Sequence, residues 1–112
     1  MEWTLSNAYS GFRAAVLRSQ AAGLPAVVHS GYWGCGAFGG NRELMPTLQA
    51  AAAALAGVRL LVLHTGAAGG DTPARNGLRI LDEVAGSEGL PVGELVAALA
   101  ARRFPWGFSN GT

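Results

Sequence analysis

The chain has one cysteine, two histidines and few charges, and each scarcity closes a class of protein. Cys35 alone leaves no partner for an internal disulfide framework, and with His29 and His64 as the only histidines the sequence argues against a structural zinc site. Charged residues make up 13% of the 112 positions and the formal net charge is +1. No run of Lys or Arg forms a patch, so nothing points to direct contact with nucleic acid. Arg102 and Arg103 read as the basic last turn of a helix. The longest apolar run, Ala50–Gly57, falls far short of the ~20 residues that span a bilayer. The opening MEWTLSNAYS has neither the basic nor the apolar region of a signal peptide. The expectation is a soluble cytoplasmic protein with no membrane contact, no metal and no cofactor.

What is present is half apolar, which suits a globular chain. Its length allows at most one domain, one that buries roughly two thirds of its unfolded surface. Residues 26–45, AVVHSGYWGCGAFGGNRELM, carry the densest information. A β-branched run leads into a loop with glycines at 31, 34, 36, 39 and 40, and a helical pattern follows. Glycine lets successive N–H groups turn inward, and a helix start adds about half a positive charge, so this order suggests a phosphate cradle.

Periodicity predicts a helix over Asn7–Ala22 with Tyr9, Phe12 and Val16 on one side, stopped by Gly23 and Pro25. A strand at Ala26–Ser30 follows. A second helix spans Leu44–Ala56, with Leu44, Leu48, Ala52 and Leu55 on one face and Pro46 in its first turn. Arg59–Thr65 is a continuously apolar strand of the kind covered on both faces. Gly66–Gly77 reads as a second loop, Leu78–Ala85 as a short helix, and Val92–Arg103 as a helix with a core stripe of Val92, Leu95, Val96 and Leu99. The tail offers Phe104, Trp106 and Phe108 for docking. Neither an internal repeat nor a linker is evident. The order α-β-α-β-α-α implies an α/β fold with a right-handed β-α-β unit and parallel strands. Two parallel strands alone leave unpaired edges and two faces to cover, so the expected architecture is an incomplete three-layer α/β/α domain.

Gly34-Cys35-Gly36-Ala37-Phe38-Gly39 matches G-x-G-x-x-G, but a dinucleotide site also wants an acid about 20 residues on, at the end of the next strand. His64-Thr65-Gly66 stands there, and the first acid after it is Asp71. A Walker A loop fails for want of Gly-Lys-Ser/Thr. Ser30-Gly31-Tyr32-Trp33-Gly34-Cys35-Gly36-Ala37-Phe38-Gly39-Gly40-Asn41 instead resembles the T-G-x-W-G-C-G-A-F-G-G-D stretch of the poly(ADP-ribose) glycohydrolase family, whose catalytic domain is a macrodomain. The likeness continues through Leu44, Leu48, Gln49, the alanine-rich helix and Leu60–His64. It reaches Leu90-Pro91-Val92-Gly93-Glu94-Leu95, which looks like the family's L-T-V-G-D-V. It covers roughly Phe12 to Arg103 and corresponds to the C-terminal part of the family's domain.

The resemblance implies an ADP-ribose or poly(ADP-ribose) ligand. Main-chain amides of Gly34, Cys35, Gly36 and Ala37 would hold the diphosphate, Phe38 would lie beside the distal ribose, and Gly31 and Trp33 would complete the binding stretch. Trp33 also reads as an anchor packed under the loop. This chain departs from the family at Tyr32, where relatives often have Asn, and at Asn41, where they have Asp. Thr65 stands near the place of an aromatic residue that contacts adenine, a stacking loss of order 1 kcal/mol. The family's reaction is hydrolysis of ribose–ribose bonds, in which a carboxyl acts at an oxocarbenium-like centre. Its signature, a glycine triplet followed by two adjacent glutamates, does not occur here; the expectation is that it lies upstream of Met1.

No catalytic residue is therefore assigned. Asp82-Glu83 reads as a solvated helix face, Gly69-Gly70-Asp71 as a turn, and Cys35 as part of the loop rather than a nucleophile. His29 and His64 read as hydrogen-bonded residues near the ends of neighbouring strands, with phosphate contact as the alternative; Arg42 reads equally as a surface or a phosphate-assisting residue. The leading expectation is an ADP-ribose-binding macrodomain portion. The alternatives are one half of a split glycohydrolase completed by an upstream fragment, or a structural remnant that has lost its ligand and self-associates as a homo-oligomer.

Overall fold

In the computed structural model, which describes residues 1–32, 41–66, 70–86 and 89–104, a nearly buried helix stands at the centre of the core. This is α2, Leu44–Ala56. Leu44, Leu48, Ala52 and Ala56 are wholly buried, and Met45, Pro46, Thr47, Gln49, Ala51 and Ala53 are buried as well. Pro46 sits at the third helical position, within the first four residues whose N–H groups have no intrahelical partner, so its missing N–H breaks no helical hydrogen bond. Leu55, expected on the buried face, is exposed; Ala56 continues that face instead.

Helix α1, Glu2–Ala21, packs on α2 through Leu5, Ala8, Phe12 and Val16. It starts five residues before the expected Asn7, because Leu5 and Ala8 extend the same buried stripe by another turn and more. Tyr9 flanks that stripe and is exposed. Both helices end on a left-handed glycine. Gly23 (φ 73°) donates to the Gln20 carbonyl and Leu24 to the Ser19 carbonyl; Gly57 (φ 83°) donates to Ala54 and Val58 to Ala53. These paired bonds are the Schellman arrangement, which needs a residue without a Cβ at that φ.

Strands β1, Val27–Ser30, and β2, Leu60–Leu63, pair in parallel with Val27 opposite Leu60 and Ser30 opposite Leu63. Val28 and Leu61 pack against the core. Alternation turns Val27, His29, Leu60, Val62 and His64 to the opposite side, where Val27 is 49% and Leu60 53% exposed. The expectation of cover on both faces is thus corrected: among the described residues α1 and α3 pack on α2, and that face stays open. The described sheet has these two strands alone, in agreement with the expected α/β class and parallel pairing.

Helix α3 spans Asp71–Ala85, beginning seven residues before the expected Leu78. Gly77 is accordingly a packing glycine inside a helix and not a loop residue. A Cβ there would lie 2.2 Å from the Glu43 carbonyl oxygen and 2.9 Å from Thr47 Oγ1. The close approach, with Ala74 and Ile80 buried on either side, presses α3 onto the start of α2. Helix α4, Val92–Ala101, buries Leu95 and Leu99, whereas Val92 is exposed. It stops before Arg102 and Arg103, which follow the helix rather than form its last turn; Arg102 pairs with Glu83 at 3.4 Å. Phe104 packs against the core, while Trp106 and Phe108 lie outside the described residues. Among the described residues no helix is long and apolar enough to cross a membrane.

Gly77→Ala is expected to lower stability by about 1–3 kcal/mol, because neither the Glu43 backbone nor buried Thr47 has room to give way. The reading is a lower urea midpoint at unchanged slope; an unchanged midpoint would mean that α3 does not rest on α2 here.

Candidate functional site

The glycine-rich stretch leaves β1 at Gly31-Tyr32 and rejoins described structure at Asn41, and α2 grips both ends. At the entry, Gln49 is wholly buried. Its Nε2 donates to the Gly31 carbonyl at 2.7 Å and its Oε1 accepts from the Ser30 hydroxyl. Gly31 passes so near β2 that a Cβ on it would stand 3.3 Å from the His64 carbonyl oxygen. At the exit, Asn41 Oδ1 accepts from the N–H groups of Glu43 at 2.9 Å and Leu44 at 3.0 Å, and the Asn41 carbonyl accepts from Met45 at 3.0 Å. Asn41 therefore caps α2. The helix start keeps its dipole field, but the N–H groups of residues 43–45 already have acceptors, so they are not idle donors for an anion.

Tyr32 ties the loop entry to α3. Its hydroxyl donates to the Gly70 carbonyl and accepts from the Ala74 N–H at 3.1 Å, satisfying one of that helix's first four donors. The Arg42 guanidinium carbon stands 5.6 Å from the centre of the Tyr32 ring, a cation–π contact that links entry to exit. Thr65, at the end of β2, donates its hydroxyl to Asp71 at the start of α3. Between these pieces, Gly31, Tyr32, Pro46, Leu63, His64 and Thr65 line a crevice too narrow for water. The described residues form a packed floor beneath the loop.

Deeper in α2, Thr47 Oγ1 lies 2.8 Å from the Glu43 carbonyl and 2.7 Å from the Gly77 carbonyl, so its one proton serves either acceptor. A cavity of about 500 Å³ opens between α1, α2 and α4 beside Tyr9, Leu55 and Val92 and shares no residue with the loop floor.

Of the expected binding residues, Gly31 stands on this floor; Trp33, Gly34, Cys35, Gly36, Ala37 and Phe38 lie outside the described residues. His29 and His64 meet each other, Nδ1 to Nε2 at 2.9 Å, on the open sheet face. Asp82 and Glu83 are exposed on α3, as a solvated face requires, and Glu83 faces Arg102. Asp71 lies 3.9 Å from Arg75 in an exposed pair of little energetic weight. Sequence reasoning did not assign the bracing roles of Gln49, Tyr32 and Asn41. The signal available for Gln49 was a lone amide in the apolar helix LMPTLQAAAAALA. Among the described residues no three His, Cys, Asp or Glu side chains converge.

A family model described as poly(ADP-ribose) glycohydrolase (PARG), macro domain fold, matches residues 1–69. That span takes in α1, β1, the whole glycine-rich stretch, α2 and β2. The likeness read at Leu90–Leu95 falls beyond it. No curated protein and no solved structure gives a significant match.

Two substitutions test the brace. Gln49→Leu keeps the volume but takes the partner from the Gly31 carbonyl and the Ser30 hydroxyl, and is expected to cost about 1–3 kcal/mol. Tyr32→Phe should cost about 0.5–1.5 kcal/mol and speed hydrogen exchange at the Ala74 amide, which loses its acceptor. Unchanged exchange at Ala74 would remove Tyr32 from the link to α3.

Proposed function

The chain belongs to the poly(ADP-ribose) glycohydrolase family, of macrodomain fold, and on that premise we propose that it binds ADP-ribose through its glycine-rich stretch. The observation that carries this reading is the pinning of both ends of that stretch to one buried helix, Gln49 at the entry and Asn41 at the exit. A diphosphate held by main-chain amides needs several donors at fixed spacing, and a loop whose ends are set beforehand loses less entropy when it closes on the ligand. Gly34, Cys35, Gly36 and Ala37 supply those amides in this reading, with Phe38 beside the distal ribose and Gly31 and Trp33 on the approach. Asn41 having taken the first donors of α2, the phosphates depend on loop amides and on the helix field. Thr65, in place of an aromatic side chain, offers adenine no ring to stack on, which lowers affinity by about 1 kcal/mol.

Hydrolysis asks for a carboxyl at the ribose–ribose bond. This sequence has no glycine triplet followed by paired glutamates, and Asp82-Glu83 lies on the exposed face of α3 with Glu83 turned to Arg102. The chain described here is therefore proposed as the binding portion of the reaction. A second reading is favoured by the open face at Val27 and Leu60 and by the two-stranded sheet: a further segment or polypeptide completes the sheet and brings the acids. A neighbouring reading frame with the triplet and glutamate pair supports that assembly, and unrelated sequence counts against it.

Isothermal titration of the folded chain with ADP-ribose is expected to give saturable heat, and Asp82→Asn with Glu83→Gln is expected to leave the affinity within twofold. Absence of heat at millimolar ligand from a folded sample would overturn the binding reading.

A further inference from the structure

We infer, building on the ADP-ribose reading, that Arg42 is the cationic side-chain partner of the diphosphate, held on the face of the Tyr32 ring at the mouth of the glycine-rich stretch. Arg42 follows the capping residue Asn41 and stands two positions before α2. It is exposed, and its guanidinium carbon lies over the Tyr32 ring, 5.6 Å from the centre. That ring is itself tied down, because its hydroxyl donates to the Gly70 carbonyl and accepts from the Ala74 N–H. The charge is thus set where the chain enters the stretch at Tyr32 and leaves it at Asn41.

Arg42 differs from other arginines of the chain in what it touches. Arg13 donates to the Ala56 carbonyl at 3.1 Å and Arg79 to the Asn76 side chain, while Arg75 and Arg102 face Asp71 and Glu83 at 3.9 Å and 3.4 Å. Among the described residues no carboxylate pairs with Arg42, the adjoining Glu43 included. A cation–π contact engages the charge through the ring face and spends none of the guanidinium N–H groups. Those donors form a planar fork that suits two phosphate oxygens at once. The Tyr32 ring therefore gives the cation a place without neutralising it.

Its position in the helix field points the same way. Carboxylates are favoured at the start of a helix and cations at the end, yet α2 has no acid in its first turn and Arg42 stands at its positive end. Asn41, neutral where family relatives carry Asp, caps the amides of Glu43 and Leu44 without adding negative charge. The cap takes helix donors that would otherwise meet an anion, and the Arg42 fork supplies donors in their place. Cation and helix dipole thus add at one point, an arrangement that weakens the free chain and favours a multiply charged anion there.

The full chain is titrated with ADP-ribose by calorimetry, and with inorganic pyrophosphate by nuclear magnetic resonance that follows the arginine Nε–H signals. Arg42→Gln is expected to weaken ADP-ribose binding about tenfold, the scale of one charge-assisted contact. The same variant should leave the urea midpoint of the free chain equal or higher, which a merely structural arginine would not do. Arg42→Lys keeps the charge but loses the fork, and its affinity is expected to fall between the two. Pyrophosphate should shift the Arg42 Nε–H signal and leave that of Arg102 in place, a reading on the unmodified chain that holds even where a variant fails to fold. A parent that binds ADP-ribose, with Arg42→Gln within twofold of it, overturns the role of Arg42 and leaves the binding reading standing. A lowered midpoint without a pyrophosphate shift overturns it as well. If the parent gives no heat with ADP-ribose, the binding reading falls and pyrophosphate alone decides: a shift at Arg42 retains the anion contact, and no shift removes it.

Discussion

Helix α2 has almost no face left for water, and that constraint organises the rest of the molecule. Its alanines at 51, 52, 53 and 56 present little bulk to its neighbours, while Leu44 and Leu48 fill the centre of the core. A helix buried this completely cannot tolerate idle polar groups, so each one it carries must be answered by a specific neighbour. Thr47 is answered by the backbones of Glu43 and Gly77, and Gln49 by Ser30 and Gly31. The two polar side chains therefore fix direction as well as depth. One locates α3, the other locates the end of β1.

The glycine at 77 and the threonine at 47 form one contact read from its two sides. Without a side chain at 77, α3 comes close enough for its backbone carbonyl to meet the Thr47 hydroxyl at 2.7 Å. The same approach brings Gly70 and Ala74 within reach of the Tyr32 hydroxyl. Packing between two helices is thereby transmitted to the mouth of the glycine-rich stretch through hydrogen bonds. The loop floor is held to α2 through Gln49 and through the helix-start amides that donate to Asn41, and to α3 through Tyr32.

Much of this was legible in the chain and some was not, for physical reasons. Helix α2 was readable to the residue because Gly57 stops it and Pro46 is tolerable only near its start. The parallel strands were readable from their apolar runs. The start of α3 was not: Gly-Gly-Asp-Thr-Pro before it and Asn76-Gly77 within it carry local turn chemistry, and tertiary contact with α2 overrides that preference. The start of α1 was missed because Leu5 and Ala8 show their role only once α2 is beside them. At the site, family likeness marked Tyr32 and Asn41 as departures; the cap at Asn41 is local, two and three residues from its donors, whereas for Tyr32 a one-dimensional pattern holds nothing about partners 38 or 42 residues away. The histidine pair is the same case, since each residue alone is an ordinary strand-end histidine and register makes the pair.

A two-stranded parallel sheet with an open face is a weak foundation, because among the described residues it has neither edge partners nor cover on that face. The glycine-rich stretch does not depend on it. Its entry is fixed by the Gln49 side chain of α2 and its exit by Asn41, which accepts from the N–H groups at the start of α2, and α2 is held by α1 and α3 through the core. Completing the sheet would add strands beside β1 or β2 and cover Val27 and Leu60, but it would leave the Gln49 and Asn41 bonds where they are. The proposed diphosphate binding and the supply of catalytic acids thus rest on different parts of the architecture. The fixing of the two ends of that stretch follows from helix packing within the described residues, whereas the proposed hydrolysis asks for carboxyl groups that, among the described residues, this helix-centred frame does not supply.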